Sequence, residues 1–182
     1  MSETFSSLLA QQYRTTHQRI LKLVSSLADQ QLAWHPSPTA PPLGFHLWHV
    51  ARYADYLQNV ISGGKGHIWE RDGLARRWGW SGALGFASTG TEMPDDIAAD
   101  LPLPAKEAVL DYVRRAFAAA EEAVGSLDDA KLMQGHKDPH RPDGPETLWA
   151  VRVMNSLTHE NRHLGMIECL LGVMGTRGTA TV

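Results

Sequence analysis

The sequence predicts an all-α fold, a four-helix bundle with a long crossover between its second and third helices. Three observations predict it. Four stretches of the 182-residue chain carry apolar residues at three- and four-residue spacing. No run alternates apolar and polar residues convincingly enough for a half-buried strand. A segment of 43 residues, Ser62 to Pro104, separates the second stretch from the third without a sustained period.

The first helix is placed at Thr4 to Leu27, where Phe5, Leu8, Leu9, Ile20, Leu21, Val24 and Leu27 supply the apolar spacing and Ser2 and Glu3 supply capping and favourable charge. The string HPSPTAPP, His35 to Pro42, cannot continue it, because each proline lacks an N–H and restricts the residue before it. The second helix runs from Leu43 to Ile61 and stops at Gly63 and Gly64. Within the crossover a short helix is expected near Glu70 to Trp78, and Trp69, Trp78 and Trp80 are expected to bury against the bundle. A link this long can cross the whole bundle, so the second and third helices need not be antiparallel neighbours. Pro104 introduces the third helix, Ala105 to about Val124, with Val109, Leu110, Val113 and Phe117 on its apolar side. The turn-rich stretch Ser126 to Pro145 precedes a long fourth helix that ends near Gly172 to Gly175. Residues 1–175 read as a single domain and 176–182 as a mobile tail.

Composition narrows the function. With 17 basic and 20 acidic residues the net charge is −3, so no basic footprint for nucleic acid dominates. Charges interrupt the 43% hydrophobic residues too often for a membrane span, and the N-terminal residues lack the pattern of a secretory signal, which predicts a cytoplasmic protein. The single cysteine, Cys169, excludes an internal disulfide and is expected as a small core residue. A metal site would therefore rest on histidine and carboxylate, and the chain has nine histidines against five lysines.

His159 and His163 stand four apart on the fourth helix, which places both imidazoles on one face, where two can chelate one cation. The second helix offers His46 and His49 inside an apolar, aromatic stretch. His49 is the better third ligand, because Phe45, Tyr53 and Tyr56 recur on its face; His46 is the reserve. HENRH also matches the H-E-x-x-H pattern of zinc peptidases, with Glu160 as general base. The extended pattern fails: Met166 stands where its glycine belongs and Cys169 where its third histidine belongs. Arg52, Arg152, Asn155 and Ser156 lie near the histidines along their helices and are candidates to bind a polar or anionic substrate, with solvated or i,i+3-paired arginines as the ordinary alternative. His67 is the one crossover histidine and is a candidate to line the pocket. His136 and His140 are expected to be solvated, and His17 has no partner at ligand spacing.

These strings, LWHVARYAD around His49 and HENRHLGMIECLLG around His159 and His163, resemble the DinB/YfiT-like family of metalloenzymes, with the Trp-bearing crossover IWERDGLARRWGW adding to the match. The resemblance spans nearly the whole chain. It implies a four-helix bundle holding a divalent metal, zinc or nickel, on three histidines, and a transferase or isomerase reaction using a low-molecular-weight thiol. It also implies a small-molecule substrate, and a homodimer is compatible with it. Two other readings remain open: a metal-dependent hydrolase with Glu160 as base, and a bundle whose metal is only structural.

Overall fold

A computed structural model describes residues 4–64 and 66–179. Ser2 and Glu3, expected to support the first helix, and Ala180 to Val182 of the expected tail lie outside the described residues. Four long helices carry the fold: α1 (Phe5–Ser25), α3 (Leu43–Ile61), α7 (Lys106–Gly125) and α9 (Trp149–Val173). Between them lie one-turn helices: α2 (Asp29–Leu32), α4 (Ile68–Arg71), α5 (Leu74–Arg77), α6 (Asp95–Ala99) and α8 (Asp129–Leu132). Strands β1 (Gly135–His136) and β2 (Thr147–Leu148) pair antiparallel and lead into α9.

Thr4 caps α1 through a reciprocal pair with Ser7, each side chain accepting from the other's backbone N–H. The expected short crossover helix is two single turns, α4 and α5. Gly73, in the left-handed region at φ 60°, breaks them apart.

The long crossover has a topological reason. Arg52 bonds Tyr112, and a Cβ on Gly44 would meet Leu103, so the start of α3 lies beside the entry of α7 and the two helices run parallel. A parallel pair cannot be joined by a tight turn. The chain must return along a 19-residue helix, ~28 Å at 1.5 Å per residue. Conversely, α9 runs parallel to α1, since Tyr13 bonds Val153 and His17 bonds Glu160, and antiparallel to α3, since His49 faces His159 and His46 faces His163.

Trp69 and Trp80 pin the crossover by packing on Trp48 of α3, at a ring separation of 4.8 Å for Trp48–Trp80, and Trp78 packs on both of them, 5.0 Å from Trp69. Each such indole buries a large apolar area and so outweighs the entropy of ordering several loop residues. Two apolar clusters fill the bundle. One gathers Leu9, Tyr13, Leu57, Val124 and Val153, the other Ile20, Val24, Leu47, Val113 and Ile167. Along the bundle axis the polar level occupied by His17, His49, His159 and Glu160 falls between these groups.

Two expectations are corrected. Cys169 is exposed rather than in the core, because it lies on the face of α9 with Met166 and Val173, away from the faces packed on α1 and α3. His136 is not free in solvent: it stacks on Trp149 at 3.8 Å and donates from Nδ1 to the Thr147 carbonyl. In the described part of the tail, the Thr176 N–H donates to Leu171 O and the Thr179 N–H to Glu168 Oε1 at 2.9 Å. No helix among the described residues is long and apolar enough to cross a membrane.

Candidate metal centre

His159 and His163 share one face of α9 through their i,i+4 spacing, and the antiparallel α3 brings His49 against them. One ring nitrogen from each of the three lies within 4.8 Å of the others. His49 Nε2 is 3.1 Å from His159 Nε2, and the ring of His163 is 4.6 Å from both other rings. Two nitrogens that close, with no acceptor between them, repel unless a proton or a cation sits between them.

Burial, followed by the proximity of neighbouring imidazoles, lowers the pKa of His49 to about 4 and that of His163 to about 2; burial and Arg162 lower His159 to about 4. All three are therefore neutral at ordinary pH, the form that donates a lone pair to a metal. His49 Nδ1 donates to the Thr89 carbonyl at 2.5 Å, which fixes its tautomer and leaves Nε2 as the free lone pair. His159 Nδ1 is buried and has no hydrogen-bond partner, so Nε2 alone of its nitrogens is engaged. The donor set thus fits a single divalent cation held by three imidazoles. His46 stands behind it, its Nδ1 3.2 Å from His163 Nδ1, and is outside the group of three.

The segment Gly85–Glu92 delivers the Thr89 carbonyl, and the sequence gives little sign of it. Ala87, Ser88 and Glu92 all adopt positive φ without being glycine. Gly90 (φ 89°) approaches so closely that a Cβ there would lie 2.8 Å from Trp48 and 3.1 Å from His49 Nδ1. Arg52 clamps this turn. It is wholly buried, donates to the carbonyls of Ser88 and Ala87 at 2.8 and 2.9 Å, and pairs with Asp55 at 2.9 Å and Glu70 at 3.0 Å.

Arg52 is therefore corrected from substrate binding to scaffold, because every face of its guanidinium already has a partner. Asp55, His67 and Glu70 also cluster, but both Asp55 oxygens are taken. They accept from the N–H groups of Ile68 and Trp69, capping α4, as well as from Arg52, Gln58 and Tyr112. His67 does not line the cleft: it is buried beyond Tyr56 and contacts the Asn59 amide.

Glu160, the candidate base, points the other way. Wholly buried, it meets His17 Nε2 at 3.0 Å, while Glu121 meets His17 Nδ1 at 2.7 Å. A helix turns ~100° per residue, so the position after His159 faces α1 rather than α3. His17, expected without a partner, is held as an imidazolium: burial opposes its charge, but the two carboxylates outweigh burial and raise its pKa to about 9.

A cavity of about 250 Å³ opens beside His159, lined by Tyr53, Tyr56, Arg152, Asn155 and Ser156 among others. It continues outward past Tyr53 and Tyr56 into a second space of about 320 Å³ with Phe86, Asp138, Arg141 and Arg152. Tyr53 borders both spaces, with its ring 4.0 Å from that of His159 and its hydroxyl on Thr91 Oγ1 at 2.7 Å. Arg152 is not simply solvated: its Nε and Nη2 are aligned by His136 and by Asp138 at 3.1 Å.

Two solved structures share the fold. A conserved protein of locus from Enterococcus faecalis superposes with a TM-score of 0.78 at 15% identity, covering 96% of this chain and all of that one. A DinB-like protein from Bacillus cereus ATCC 10987 superposes with a TM-score of 0.65 at 18% identity, covering both chains completely. A comparison with curated proteins finds no match. The family model described as the DinB superfamily matches residues 12–167, a span that contains all three histidines of the candidate centre. The chain belongs to the DinB superfamily.

Proposed function

We propose that this protein is a metal-dependent enzyme in which His49, His159 and His163 hold one divalent cation, zinc or nickel, for a transferase or isomerase reaction of a small molecule with a low-molecular-weight thiol. The observation that carries the reading is the convergence of three neutral imidazoles, one of which, His159, lines a cleft open to solvent. A structural site closes its coordination with four protein ligands, whereas three ligands beside a cavity leave a position for substrate.

When bound, such a cation supplies a Lewis acid that lowers the pKa of a coordinated thiol. The chain's own groups do the rest. The Thr89 carbonyl holds the His49 ring in register. Tyr53 walls the cleft beside His159, and Arg152 and Asn155 offer donors to a substrate along α9. Hydrolysis with Glu160 as base loses its support, because that carboxylate is committed to His17 on the far side of α9.

Metal analysis of protein purified without an affinity tag, followed by a screen for thiol consumption with electrophilic substrates, tests the reading. About one zinc or nickel per chain, lost in His163→Ala, together with thiol turnover, is the expected result. A folded protein that retains no divalent metal on dialysis overturns it.

A further inference from the structure

We propose that the outer half of the cleft is a carboxylate-binding subsite formed by Arg141 and Arg152, so that the substrate or thiol carries an anionic group remote from its reacting end. The inference deepens the metal reading and rests on it. It follows from the hydrogen-bonding capacity left over in the cleft wall.

Among the described residues Asp138 is the one acid lining the outer space, and its oxygens are already engaged. The Tyr56 hydroxyl and the His140 N–H donate to Oδ1, and Arg152 Nη2 donates to Oδ2 at 3.1 Å. Arg152 spends Nε on His136 and Nη2 on Asp138, which orients the guanidinium and leaves Nη1 without a partner among the described residues. Arg141 lies over the Phe86 ring, 4.3 Å from its centroid, and its nearest acid is Glu92, 3.9 Å away with both side chains more than half exposed. An ion pair that long and wet holds little. The unspent groups of this wall are therefore donors with fixed forks, the geometry that carboxylates accept in pairs. The aromatic rings of Tyr53, Tyr56 and Phe86, with Pro145, also line the channel and suit an apolar spacer.

Position sets the length of the ligand. Arg152 and His159 are seven residues apart on α9, hence ~10 Å along the helix axis. A thiol at the inner end and a carboxylate at the arginines should thus be separated by about five or six carbons, or an equivalent polar chain.

The test uses the Co²⁺-loaded protein with two ligands of equal chain length, 6-mercaptohexanoate and 6-mercaptohexanol. A thiolate-to-cobalt absorption band reads the metal; the ratio of the two dissociation constants reads the arginines. The acid is expected to bind about tenfold tighter at low salt, the worth of a charge-assisted contact. In Arg141→Gln/Arg152→Gln the ratio should fall to about one. Arg141→Gln alone, at an exposed side chain whose contacts are the Phe86 ring and a long, exposed pair with Glu92, should lower the ratio partway even if the double variant folds poorly. A ratio of one in the native protein, or a ratio that neither variant changes, overturns the subsite and leaves the metal reading standing. Absence of a band with either thiol overturns the metal reading instead. Calorimetric titration with adipate then decides the subsite alone: heat that disappears in Arg141→Gln supports it, and no heat overturns it.

Discussion

His163 experiences the strongest opposition to protonation in the cluster: burial comes first, then the neighbouring imidazoles of His49, His159 and His46. Its lone pair is thereby available at any pH the protein meets in ordinary buffers. His163→Ala should abolish stoichiometric metal binding, whereas Glu160→Gln should keep the metal and the cobalt spectrum while losing about 3–8 °C in melting temperature, the cost of one buried charged hydrogen bond. Metal analysis and melting curves on the two variants check this. Loss of metal in Glu160→Gln would show that the carboxylate acts on the triad after all. The i,i+4 pair and the aromatic face of His49 were legible because helical periodicity is local information. The pairing of Arg52 with Asp55 was legible too, from its i,i+3 spacing, but the other contacts of Arg52 and the role of Glu160 were not. Their partners come from Ser88, Glu70 and His17, distant in the chain, and no spacing rule distinguishes a guanidinium that faces substrate from one that faces a loop carbonyl.

The four long helices follow from period, caps and proline breaks, all of which act within a few residues. The crossover was legible only as long and tryptophan-rich, since α4, α5 and the turn at Gly85–Glu92 are held by contacts across the chain: Asp55 caps α4, and Arg52 grips the turn. That turn is the element on which ligand geometry depends. Three non-glycine residues at positive φ cost energy, and the clamp from Arg52 together with the packing of Gly90 on Trp48 and His49 keeps the strained form populated. Gly90→Ala places a methyl against the His49 ring at a φ that alanine disfavours. It should weaken metal affinity about 10- to 100-fold, the usual cost of disturbing a group that orients a ligand. A competition titration against a chelating dye measures it. An unchanged affinity in a folded Gly90→Ala protein would sever the turn from the metal site.

For the whole molecule, two buried titratable clusters impose opposite pH limits on the metal-free fold. His49 and His159 have folded pKa values near 4 against about 6.5 when unfolded. Between those values the unfolded chain binds more protons, so stability is full above about pH 6.5 and falls as pH drops toward 4. His17 is shifted the other way, to about 9, so its contribution is full below about pH 6.5 and is lost as pH rises through 9. The melting temperature of the apo protein should therefore peak near pH 6.5. His17→Gln should flatten the alkaline limb and spare the acid one, and a limb that persists in His17→Gln would assign it to other groups. Metal adds a third dependence. A cation that binds the native state alone stabilises it by mass action, ~2.7 kcal/mol at a free concentration of 100 times its dissociation constant. For a chain of this length that corresponds to a rise of ~5–10 °C. Because all three ligands are already neutral in the fold well above pH 4, the increment should be nearly constant from pH 5 to 8 and should shrink only as pH falls toward the folded pKa values of His49 and His159. Melting curves with zinc and with a chelator, repeated from pH 5 to 8, should stay separated by a similar interval at every pH. Curves that coincide at every pH would mean that the three histidines hold no metal in the native state.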